Sequence, residues 1–150
     1  MPYVTLAKLK AGLPADITAQ LLDDAGGGVP DAANWAAIAT AIQEEIDGRL
    51  GQRFAVPLDP VPPLIANAAF VLAAELLYQR RGFYGEHNPW TKRADSIRGT
   101  QGQPGGQVGL LDKIAAGEVP LTTETARARP SVSVITEPAK TTSAAGNMMS

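Results

Sequence analysis

The chain has 150 residues, 13 basic and 15 acidic side chains, a formal net charge of −2 and no cysteine. That length is room for one domain. Without cysteine, disulfides and thiolate metal sites are excluded. The near-neutral balance supplies no general electrostatic pull toward nucleic acid or an anionic membrane. The first residues, Met1-Pro2-Tyr3-Val4-Thr5, lack the basic and apolar regions of a signal peptide, so a cytoplasmic product is expected.

In chain order, Thr5 can cap a short helix holding Leu6, Leu9 and Lys10, stopped near Gly12 and Pro14. Asp16 is placed to cap a second helix carrying Ile17, Leu21 and Leu22, ended by Gly26-Gly27-Gly28. Asp31 then caps a longer helix. Its apolar positions Trp35, Ile38, Ile42, Ile46 and Leu50 step by three and four, which predicts one buried face. Residues 53–58 read as an extended connection, since residues before proline prefer that conformation.

The stretch that organises the rest is residues 57–82. Pro57, Pro60, Pro62 and Pro63 are expected to hold the approach near polyproline geometry, and a proline in the first helical turn removes only an N–H that would have no partner. From residue 64 to 78 only Asn67 and Glu75 are clearly polar. A helix apolar on nearly every side is a buried one, so residues 64–81 are predicted as a central buried helix. Leu64, Ile65, Phe70, Val71, Leu72, Leu76 and Leu77 are its expected core side chains. Arg80 and Arg81 suit its negative end, and Gly82 can take the left-handed stop. The helix is short and interrupted for a membrane span.

Phe83, Tyr84, His87 and Trp90 then form an aromatic loop, and residues 91–98 a short helix. Residues 99–109, with five glycines and a proline, read as a flexible break. Val108, Leu111, Ile114 and Ala115 fit a last helical stripe ended by Gly117. The fold class that follows is all-α: a small helical bundle around the central helix, over residues 1–121. Residues 122–150 hold too little apolar content for a core of their own and read as an extended C-terminal arm that only a partner chain would order. Within it Val132, Val134 and Ile135 alternate as a strand does.

Catalytic groups are thin. His87 is the only histidine and sits in a Gly/Asn/Pro loop, where a loop or interface role outweighs catalysis. Glu44 and Glu45 point about 100° apart on a helix, so with Asp47 they read as a solvated face rather than an acid pair. The glycine clusters neither follow a strand nor carry a phosphate-loop lysine. No enzyme activity, metal or cofactor is expected. Arg80, Arg81, Lys92, Arg93 and Arg98 could line a surface facing DNA or an acidic protein, although scattered solvated charge is the simpler reading.

The order of segments is itself informative. Tyr3 with a short helix precedes the longer helix ending at Leu50. Arg53-Phe54 and Val56-Pro57-Leu58 follow, then Pro62-Pro63 leading into Leu64-Ile65-Ala66. Ala73-Ala74-Glu75-Leu76-Leu77 comes next, and finally Leu111-Asp112-Lys113-Ile114-Ala115-Ala116-Gly117 and Leu121. This succession, over about residues 1–121, resembles the phage Mu-type head–tail connector family. The resemblance implies a non-enzymatic helical adaptor that forms a ring, usually dodecameric, between portal and tail in the virion neck. The ring would extend the DNA channel without sequence-specific binding, dock the next neck or tail protein, and require no membrane. The expected partners are copies of itself, the portal protein, and a tail-terminator or other neck protein. Arg80, Arg81, Tyr84, Trp90, Lys92, Arg93, Val132, Val134 and Ile135 are the candidate contact residues, the last three by adding to a neighbour's sheet edge. Two alternatives stay open: a small DNA-binding or packaging accessory protein, and a tail-completion (terminator) protein, the latter usually of mixed α/β fold.

Overall fold

A computed structural model describes residues 2–121. The chain divides into two units, Met1–Val119 and Pro120–Ser150. The first holds α1 (Leu6–Gly12), α2 (Ala15–Leu22), α3 (Ala32–Leu50), α4 (Pro63–Arg80), α5 (Thr91–Arg98) and α6 (Leu110–Ala115), with a 3-10 turn at Gly85–His87. Among the described residues there is no strand, only an antiparallel bridge between Gly99 and Val108. The fold is all-α. Val132, Val134 and Ile135 lie outside the described residues.

The local rules that start helices operate at α1 and α3. Thr5 Oγ1 accepts the Lys8 N–H at 3.1 Å, and the Asp31 carboxylate accepts the Asn34 N–H at 3.0 Å. At α2 the expected Asp16 cap is replaced by Pro14, whose carbonyl receives both the Thr18 N–H and the Thr18 hydroxyl. The helix therefore begins before Asp16. That residue sits in the first turn, where a negative charge still suits the helix dipole.

Along α3, Ile38, Ile42, Ile46 and Leu50 are buried, while Trp35 at the first turn is only half-buried. This face packs on α4 and α6. α4 also meets α1, α2 and α5, and is the centre of the bundle. Ile65, Leu72 and Leu77 are fully buried, each contributing roughly 1.5–3 kcal/mol. Ala68, Ala69, Ala73 and Ala74 between them let the neighbouring helices approach closely. Leu64, Phe70, Val71 and Leu76, expected in the core, are half-buried. α1 and α2 have 7 and 8 residues against 18 in α4, so they do not enclose it on every side. Gly82, with φ +90°, ends the helix as the sequence predicts.

Two connections depart from expectation. Residues 53–58 are not extended. Arg53 and Phe54 both donate to the Leu50 carbonyl, winding the chain off α3, and Val56–Pro57 and Asp59–Pro60 are cis peptides rather than polyproline units. Proline restricts the conformation of the residue before it but leaves the isomer of its own peptide bond open. Leu58 is buried, and its N–H donates to the Tyr3 hydroxyl at 2.8 Å.

The glycine-rich stretch 99–109 is a closed loop rather than a break. Thr100 N–H donates to the Gln107 carbonyl at 2.8 Å, and Gln107 N–H to Thr100 Oγ1 at 2.9 Å. Gly99 has φ +91°, and a Cβ there would stand 2.7 Å from Gly109 N, so the closure needs both glycines. Val108 belongs to this closure and is exposed, leaving Leu111 and Ile114 as the buried stripe of α6.

Candidate partner interface

What the core consumes internally defines what its surface has to offer. Glu75, with Asn67 one of only two clearly polar residues between positions 64 and 78, is 3% exposed. Its carboxylate is paired with the Arg98 guanidinium at the end of α5. Arg98 also binds Glu45 of α3 through Nε, at 2.7 Å, and through Nη2, at 3.1 Å. Arg49 extends the cluster, donating to the Arg98 carbonyl at 2.9 Å and pairing with Asp112 of α6 at 3.4 Å and Glu45 at 3.9 Å. Burial works against the charge on Arg98, but the hydrogen bonds it donates to Glu45 and Glu75 outweigh it and hold its pKa above the usual arginine value. One guanidinium therefore joins α3, α4 and α5, and a second ties in α6.

The acidic face expected on α3 is thus not simply solvated. Glu44 is exposed, but Glu45 belongs to this cluster, and Asp47 accepts a hydrogen bond from the Tyr3 hydroxyl. Burial and that bond to Asp47 push the Tyr3 pKa up to about 12.

Arg80 and Arg81 terminate a different helix from the one they were expected to cap. Arg80 donates to the Leu21 carbonyl at 2.9 Å and pairs with Asp24 at 2.8 Å. Arg81 donates to the carbonyls of Gln20 and Asp23 at 3.0 and 2.9 Å and pairs with Asp24 at 2.9 Å. They satisfy carbonyls left without partners at the end of α2. The hydrogen bond from Arg80, with one from Asn34, holds the Asp24 carboxyl below its usual range. Asp23 is lowered too, chiefly by the backbone N–H of Gly28, with those of Gly27, Gly26 and Ala25 adding to it.

The remaining candidates gather around one loop. Tyr84 is 61% and Phe83 45% exposed, and Phe83 meets Tyr78 edge-on at 6.0 Å. Trp90 is half-buried, T-stacked on Phe70 at 5.4 Å, with the Arg93 guanidinium 5.1 Å from its ring centre. Lys92 is exposed beside it. The loop is held from beneath by Asn88, which is buried. Its amide donates to the carbonyls of Glu75 and Phe83, and its side-chain oxygen accepts the Trp90 N–H at 3.0 Å. Trp90 and Arg93 therefore lie together, with Leu13, Tyr78 and Pro89 around them, whereas Lys92 lines a separate cleft with Asp95, Ser96 and Thr100, and Tyr84 is exposed on the loop. What sequence reasoning missed is the pairing of Glu75 with Arg98 and the anchoring role of Asn88. The signal for the first was a lone acid in an apolar helix, which demands a cationic partner.

Among the described residues no group of three or more His, Cys, Asp or Glu is placed to hold a metal, and no helix is long and apolar enough to cross a membrane.

A helical core whose described residues include exposed aromatics and a Trp90–Arg93 stack is what this geometry defines. The family model for Bacteriophage Mu Gp36 matches residues 3–136, and the chain belongs to that phage protein family. The match runs beyond the 1–121 span read from segment order and takes in Val132, Val134 and Ile135. No curated protein matches the chain.

Proposed function

We propose that this chain is a structural, non-enzymatic head–tail connector: an adaptor subunit that forms a ring in the virion neck between portal and tail. There it extends the DNA channel and docks the next neck or tail protein. Membership of a phage protein family over residues 3–136 carries the reading. The geometry supports it in two ways. The ion cluster on Glu75, Arg98 and Arg49 ties α3, α4, α5 and α6 into one core. The exposed aromatics Phe83 and Tyr84, with Trp90 and Arg93, have the side-chain types that anchor protein interfaces. The DNA-accessory alternative is weakened at Arg80, Arg81 and Arg98, since all three are engaged in ion pairs with the domain's own acids, Asp24, Glu45 and Glu75.

Quantitative mass spectrometry of purified tailed particles tests the proposal. A copy number equal to that of the portal is the expected result. A count near half the portal's, or absence from the particle, would overturn the connector role.

A further inference from the structure

Two shallow clefts flank the Phe70–Trp90 pair. One is lined by Lys8, Ala11, Gly12, Asn67 and Phe70, the other by Leu13, Tyr78, Pro89, Trp90 and Arg93. The walls are mostly apolar and no acidic side chain lines either one. Arg93 makes no salt bridge with the described residues; its described contact is with the Trp90 ring. Gly12 lies against the Phe70 ring in the first cleft's wall, where a Cβ would collide with that ring.

We propose that these clefts seat residues 132–137 of a second copy of this chain. Val132, Val134 and Ile135 are the apolar run of the stretch 122–150, and Glu137 follows two positions after Ile135, so the segment carries the charge complementary to Arg93. The family match extends to residue 136 and so includes that run. The ten residues 122–131 that precede the segment can span up to about 33–36 Å when fully extended, a reach comparable to the width of a small domain. A second copy of the described core offers no sheet edge, so backbone strand addition has no template there; an apolar cleft with a cationic wall is what it offers instead. The inference rests on the ring reading, in which like subunits meet, and names what passes between them.

The test uses the full chain. A photo-crosslinking amino acid replaces Val134, equal amounts of ¹⁴N- and ¹⁵N-labelled protein are mixed across a concentration series, and cross-linked peptides are identified by mass. Mixed-isotope cross-links to peptides holding Gly12 and Leu13, or Trp90 and Arg93, are expected. Arg93→Glu should lower their yield by roughly two- to fivefold, the range an exposed ion pair supports, and Glu137→Arg in that background should restore it. An unchanged unfolding midpoint for R93E keeps the comparison clean. Same-isotope cross-links alone, cross-links to other surfaces, or none at any concentration would overturn the inference. The particle count remains independent: a portal-matched copy number without mixed-isotope cross-links would refute the docking and leave the neck assignment standing.

Discussion

Replacing Arg98 with methionine should be among the most damaging single changes available in this core. Methionine keeps most of the aliphatic stem but leaves the Glu75 carboxylate, on a residue only 3% exposed, without its cationic partner. Glu45 suffers less, because it is partly solvated and retains Arg49 at 3.9 Å. Removing one member of a buried pair typically costs about 3–5 kcal/mol, whereas replacing both with apolar groups is often close to neutral. Loss at that level should lower the melting temperature by roughly 10–20 °C in a domain of this size. The double variant Glu75→Leu/Arg98→Met should recover most of it. Urea unfolding followed by far-ultraviolet circular dichroism at pH 7 reads both quantities. A loss below about 1 kcal/mol for R98M, or a double variant no more stable than the single, would refute the assignment of this pair as the core's central tie.

Tyr3→Phe removes the hydroxyl that joins Asp47 to the Leu58 N–H and should cost about 1–3 kcal/mol, measured by the same denaturation. Because the Tyr3 pKa is raised to about 12, its contribution is fully present below the unfolded value near 10 and is lost as pH climbs toward 12; Y3F should flatten that alkaline loss in a pH-melt series. Asp23 and Asp24 have lowered pKa values, so their contribution is present above about pH 4 and disappears as pH falls through their folded values. Asp24→Asn should therefore reduce the acid sensitivity of the melting temperature, and an unaltered acid profile would count against the Arg80–Asp24–Arg81 clamp. Gly99→Ala should destabilise by about 1–3 kcal/mol, since it combines φ +91° with a backbone atom 2.7 Å from the new methyl group; native-state hydrogen exchange at Thr100 and Gln107 would report the opened loop.

Helix starts were legible where the rule is local. Thr5 and Asp31 cap their helices because a side-chain oxygen three residues before an N–H needs no tertiary information. Asp16 misled for the same reason: the local signal was present, but Pro14 supplied the first carbonyl earlier. Arg80 and Arg81 show the limit of charge arguments at helix ends. The sign of the dipole says that a cation belongs near some helix C-terminus, and only the packing of α2 on α4 decides which. The burial of Glu75 could be inferred from its apolar helix, but its partner lies 23 positions away on an element whose docking no periodicity predicts. The aromatic surface was half visible: the loop that carries Tyr84 and Trp90 was plain, while the turning of Trp90 onto Phe70 depended on a face of α4 expected to be covered.

The closed glycine loop gives the molecule a practical property. Its neck is clamped by the Gly99–Val108 bridge, and the tip, residues 101–105, is exposed. Extra residues inserted at such a tip lengthen a loop whose ends are already fastened, and closure entropy grows only slowly with length. A tetracysteine tag placed between Gly102 and Gln103 would accordingly offer a fluorescent labelling handle in a chain that has no cysteine of its own.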